Sequence, residues 1–130
     1  MITYLLIAVG GAVGSVLRYC LASFIGDRIV SGFPWGTFVV NVTGSFIIGF
    51  FATFSGPEGR MAARPETRHF VMTGILGGYT TFSSFSLQTL NLAQDGDWVG
   101  AGAYAFGSLA CCLVGVWLGH LLATQLDGRG

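Results

Sequence analysis

The sequence predicts an all-α membrane protein: one domain over residues 1–130, with four transmembrane helices, the third broken at its middle. Three observations carry that expectation. Hydrophobic residues make up 52% of the chain and charged ones only 9%, whereas a soluble domain carries roughly a quarter charged. The apolar residues gather in four stretches, about 2–24, 36–54, 70–93 and 98–124, each long enough to cross a hydrocarbon core of about 30 Å at about 1.5 Å per residue. The third stretch, Phe70 to Ala93, has no charge, yet its centre reads Gly77-Gly78-Tyr79-Thr80-Thr81-Phe82-Ser83-Ser84-Phe85-Ser86.

The first span lacks a basic segment ahead of it, and its apolar run continues past the length of a signal core without a cleavage site, so it reads as a helix rather than a leader. It holds the single charged side chain inside any span, Arg18. A charge there is costly and hence a functional candidate. Two accounts fit Arg18 equally: snorkelling to the headgroups from near a helix end, or drawing anions into a vestibule.

The second span offers Asn41, with Thr37 one turn earlier on the same face. An Asn in such a place ordinarily hydrogen-bonds across a helix interface, worth under about 2 kcal/mol. Its amide also supplies two donors suited to a small, hard anion.

The third span is the unusual one. Paired glycines and five hydroxyl residues weaken a helix at mid-depth, where Thr80 and Thr81 compete for backbone hydrogen bonds. Lipid offers freed backbone groups no partner, so a break there is tolerated only where protein buries it or it lines a wet cavity. Past the break, Phe82 and Phe85 share a helix face, flanked by a polar stripe of Thr81, Ser84 and Gln88. The ordinary role of such rings is packing, but the positive edge of an aromatic ring also suits an anion. The freed carbonyls beside Gly77 and Thr80 suit a cation, unless the break is a plain kink. On the fourth span Tyr104, Ser108 and Cys112 repeat at i, i+4 and i+8, either as a polar track or as small interface residues beside one aromatic.

The remaining residues mainly exclude. Lysine is absent and six arginines balance six acids, leaving no face for nucleic acid. Cys20, Cys111 and Cys112 lie inside spans as packing residues, and no metal-ligand spacing occurs. His69 and His120 fall near span ends. Arg60, Arg64, Arg68 and Arg129 lie on the side of the termini, against Arg18 and Arg28 on the other. That bias places the termini in the cytoplasm only weakly and permits insertion both ways. Gly10 with Gly14, Ser45 with Gly49, and Gly115 with Gly119 form small-x-x-x-small pairs for close helix approach, within the bundle or between subunits. Four spans are few to enclose a protected polar conduit, which favours a dimer.

Gly77 to Phe85 matches residue by residue the third-helix signature GG-x-(T/S)-TFS-(T/S)-F of the Fluc (CrcB-type) fluoride channels, which the chain also resembles at Gly10-Gly11-x-x-Gly14-x-x-x-Arg18, Gly36-Thr37-x-x-x-Asn41-x-x-Gly44 and Tyr104-x-x-x-Ser108. The resemblance implies an antiparallel, dual-topology homodimer in the cell membrane that exports cytoplasmic fluoride passively. It implies a fluoride pathway through Asn41, Phe82, Phe85, Thr37, Tyr104, Ser108, Ser84 and Arg18. It also implies a structural sodium ion at the dimer centre, held by the backbone carbonyls of Gly77 and Thr80. Cys112 stands where related channels often carry Ser, a better donor, which weakens that end of the track. A pairing with an inverted paralogue stays open.

Other functional classes fit less well. A small dual-topology multidrug transporter needs an intramembrane carboxylate, and no span contains Asp or Glu. A non-transporting scaffold protein would be separated from a channel by flux alone. No nucleophile–base pair or metal constellation suggests an enzyme.

Overall fold

A computed structural model describes residues 1–128. Arg129, counted in the charge balance above, lies outside the described residues. Three helices run long and apolar enough to cross a membrane unaided: α1 (Ile2–Arg28), α2 (Trp35–Phe54) and α6 (Trp98–Leu126). The third crossing is assembled in pieces: α3 (Pro65–Arg68), a π-helical stretch His69–Leu76, α4 (Gly77–Tyr79), and, beyond a gap at Thr80 and Thr81, α5 (Phe82–Gln94). Among the described residues there is no strand.

The helices extend beyond the apolar stretches into charged sequence. α1 continues through Asp27 and Arg28, whose guanidinium lies over the Phe24 ring. The third crossing starts earlier, at Pro65, which suits the first turn of a helix because it needs no amide partner there. Asp97 caps α6, its carboxylate accepting from the Gly100 amide at 2.8 Å. The turn before it bends at Gly96, whose φ of 86° favours glycine.

Glycines set the packing. α2 and α6 approach so closely that a methyl group on Gly119 would run into the Phe46 carbonyl, and one on Gly49 into that of Val116. α1 meets the first half of the third crossing the same way, with Gly14 against the Ile75 carbonyl and Gly10 against Gly74. The glycine pairs Gly10/Gly14 and Gly115/Gly119, and Gly49 of the third pair, are therefore used inside the subunit, and Ser45 lines an internal cavity. Of the two roles the small-residue spacing allowed, the structure assigns them the intramolecular one.

Arginines close the ends of the bundle on one side. Arg68 donates to Ser55 Oγ at 2.6 Å and to the Ala52 carbonyl at 3.1 Å, capping α2. Arg60 donates from its backbone to Asp127 Oδ1 and from its side chain to the Leu126 carbonyl, capping α6. A cation at a helix C-terminus also opposes the negative end of the helix dipole.

Candidate functional site

The break falls two residues later than the glycines suggested. Gly77 and Gly78 stay helical, and Gly78 is required because the Gly11 backbone presses on it. The chain leaves the helix at Thr80 and Thr81, both extended, with φ of −80° and −150°. The Thr80 amide and hydroxyl both donate to the Leu76 carbonyl at 3.0 Å, the competition that lets a threonine end a helix. Thr81 then starts α5 as its N-cap, its hydroxyl accepting from the Ser84 amide at 3.2 Å.

Asn41 holds the gap open. Its side-chain amide pairs with both backbone groups of Thr81, accepting from the N–H at 2.8 Å and donating to the carbonyl at 3.0 Å. In an unbroken helix the Thr81 and Ser84 amides would serve the carbonyls of Gly77 and Thr80. Here those amides donate to Asn41 Oδ1 and Thr81 Oγ1 instead. The two carbonyls singled out for a cation are therefore among those whose ordinary helical donors have been diverted. One of Asn41's two N–H groups is spent on Thr81, so a single donor remains for an anion.

A cavity of about 310 Å³ opens at this point, lined by Asn41, Thr80, Thr81, Phe82, Phe85, Ser108 and Cys112, with Gly44, Ser45, Ile48 and Leu109. Five residues named from the sequence on three different helices thus converge: Asn41, Phe82, Phe85, Ser108 and Cys112. The Ser108 hydroxyl is buried without a hydrogen-bond partner, and such groups in native proteins have a reason to be kept. The Phe82 and Phe85 rings lie 5.3 Å apart, tilted by 50°. A larger groove of about 610 Å³ between α2 and α6 is apolar apart from Thr43 and Cys111. Thr43 donates to the Val39 carbonyl at 2.7 Å and meets the Tyr79 hydroxyl at 2.9 Å, so it has no donor to offer an ion.

The other named residues stand apart from that cavity. Tyr104 is fully buried, its hydroxyl donating to Gln88 Oε1 at 2.8 Å and its ring 5.2 Å from Phe85. Thr37 lines a separate cavity of about 350 Å³ with Gln88, Gly36 and the loop residues Ser31 to Trp35 other than Gly32. Phe85 lines the first of these spaces and packs its ring against Tyr104. Ser84 Oγ accepts from the Thr81 hydroxyl at 3.1 Å and does not line the cavity. Arg18 reaches neither cavity; its Nε donates to the Gly78 carbonyl at 3.2 Å. Gln88 is the residue the sequence undervalued. It stood in the polar stripe, but only the partner Tyr104 reveals that its carboxamide oxygen is fixed and its NH₂ group is left for the second cavity.

A family model described as CrcB-like protein, Camphor Resistance (CrcB), matches residues 5–120. A protein of Opitutus terrae named Fluoride-specific ion channel FluC is 62% identical over 127 residues, covering 98% of this chain and 96% of its own. Proteins of the same name from Paramagnetospirillum magneticum and Rhodospirillum rubrum are 56% and 54% identical, over 98% and 96% of this chain and 99% and 97% of theirs. With a break in the third crossing, a mainly apolar cavity carrying a few polar groups beside it and this likeness along nearly its whole length, the chain belongs to the CrcB family.

Proposed function

We propose that this chain conducts fluoride out of the cytoplasm, passively and through the cavity at the break, as one half of an antiparallel homodimer in the cell membrane. The observation that carries the reading is the convergence of Asn41, Phe82, Phe85 and the unpartnered Ser108 hydroxyl on one small space. A fluoride ion entering it gives up water and gains a hydroxyl donor, an amide N–H and the positive edges of two rings. None of these is a full charge, so each contact is favourable yet weak, which conduction requires. With no carboxylate in the four apolar stretches, Asp27 and Glu66 lying beyond their ends, flux is not tied to protons and follows the membrane potential. Hydrogen fluoride that enters an acidified cell as a neutral acid then leaves as the anion.

Dimerisation is supported by what the single chain leaves uncovered. Phe82 is 78% exposed, and Gly77, Ser83 and Ser86 are exposed beside it at the gap in the backbone. Hydroxyls and broken helix at mid-membrane call for protein, not lipid, against them. A second copy, inverted as the weak arginine bias permits, would cover that face and complete the cavity. The diverted carbonyls of Gly77 and Thr80 fit a sodium ion, a hard cation that takes oxygen ligands. A cation there supplies positive charge at the C-terminal end of the first half-crossing and a tie between subunits.

Cells deprived of their own fluoride exporter test the reading. Expression of this chain should restore growth on fluoride, with a C-terminal tag reachable from both membrane faces. Failure to restore growth by well-expressed protein would refute conduction. A tag reachable from one face only, with growth restored, would refute the antiparallel arrangement alone.

A further inference from the structure

Arg18 is the single charge within a span, and an anion channel invites the view that it draws anions in. The geometry points to a different task, which rests on the reading above: we propose that Arg18 is a positioning residue that caps the first half of the broken crossing, and that it acts through a neutral-type donor contact rather than through its charge.

Its Nε lies 3.2 Å from the Gly78 carbonyl, and Ser15, one turn earlier on α1, points its hydroxyl at the same oxygen from 3.5 Å. Gly78 is the penultimate residue of α4, so its carbonyl lost its helical donor when the chain turned out at Thr80 and Thr81. A freed carbonyl in an apolar interior needs another donor. α1 can deliver one because Gly14 lets its backbone lie directly on Ile75 and Tyr79, and Gly78 admits the backbone of Gly11. The opposite lip is held by Asn41 on α2, through both backbone groups of Thr81. The break is thus gripped from two neighbouring helices, Arg18 before it and Asn41 after it. Thr80 lies between those grips in sequence and Gly77 directly before the first, and Phe82 and Phe85 follow the second. Arg18 does not line the cavity, so its effect on the ion must pass through the backbone it holds.

Two substitutions separate this role from charge attraction. Arg18→Gln places an amide nitrogen at the same position along the side chain as arginine Nε but removes the charge. Arg18→Met matches the length and offers no donor. In liposomes at low ionic strength, where attraction by a surface charge is strongest, the capping role predicts Gln within about threefold of the parent flux and Met slower by about tenfold, the loss expected when a part-buried carbonyl keeps only the longer Ser15 contact. Amide hydrogen exchange over residues 78–85 should follow the same order, fast in Met and parental in Gln. Charge attraction predicts equal losses in both variants, relieved by raising fluoride, with exchange unchanged. That pattern would overturn the proposal. Should the Met variant fail to assemble, the Gln variant decides alone: parental flux and exchange support capping, and charge-like loss refutes it. A parental protein without fluoride flux would refute the channel reading itself, while parental flux with equal Gln and Met losses would refute only the role of Arg18.

Discussion

Replacing Asn41 by Asp changes one group of the side chain and should abolish flux while sparing assembly. Asn41 makes two hydrogen bonds to Thr81, at 2.8 and 3.0 Å. The carboxylate keeps the first, accepting from the Thr81 amide, and loses the second, leaving the Thr81 carbonyl unpaired at a cost of about 1 to 3 kcal/mol. A folded bundle whose helices pack along their whole lengths should tolerate that. The ion will not. A carboxylate about 4 Å from a fluoride repels it by about 4 kcal/mol at an effective dielectric of about 20, roughly a thousandfold in occupancy. The Asn41→Leu variant provides the comparison: it adds no charge but strands both Thr81 groups, about 2 to 6 kcal/mol in all. Purified variants would be assayed by fluoride electrode in liposomes, with elution and thermal melting in parallel. The expected result is an Asp variant that elutes with the parent and melts within a few degrees of it, with flux down at least about a hundredfold, and a Leu variant that melts lower. Parental flux in the Asp variant would show that no fluoride passes near Asn41.

Other outcomes follow from the same contacts. Phe82→Ile and Phe85→Ile keep the side chain apolar at about 1 to 3 kcal/mol of repacking, so both should assemble, but flux should fall because the positive ring edge is gone; parental flux in either would make that ring mere packing. Ser108→Ala removes a buried hydroxyl that has no partner and should leave the melting temperature unchanged or raised, with slower flux; a lowered melting temperature would mean the hydroxyl holds the fold together rather than serving the ion. Gly119→Ala drives a methyl group into the Phe46 carbonyl and should lower the melting temperature by separating α2 from α6, and an unchanged one would contradict the backbone packing described here.

The spans and the site were legible to different depths. Charge and hydropathy mark the four crossings, and the helices run past the ends of those apolar stretches, because Arg28 over its own Phe24 and Pro65 at a first turn let them continue into polar sequence. The break was readable as a conflict between an uncharged membrane stretch and its threonines and glycines. Its position was not, since glycine in a helix looks the same whether it breaks the helix or admits a neighbour, and Gly78 admits Gly11. Helical spacing put Ser108 and Cys112 on one face of α6 and Phe82 and Phe85 on one face of α5, and these faces meet as expected. Thr37 sits on the same face of α2 as Asn41, yet it lines another cavity, at the start of the helix beside the Ser31–Pro34 loop. Arg18 binds a carbonyl 60 residues away, and a bond from a side chain to a distant backbone leaves no trace in residue types. The glycines of α1 and the third crossing, Gly10 against Gly74 and Gly11 against Gly78, were the one available hint that these backbones touch.

The central claim, that the cavity at the break passes fluoride as a bare anion and needs no proton, is tested most directly by purified protein in liposomes loaded with both fluoride and chloride and held at equal pH inside and out. Once valinomycin lets potassium carry the counter-charge, fluoride should leave rapidly and chloride should stay. Release of the two anions at equal rates, or no fluoride release until a pH gradient is imposed, would contradict the account.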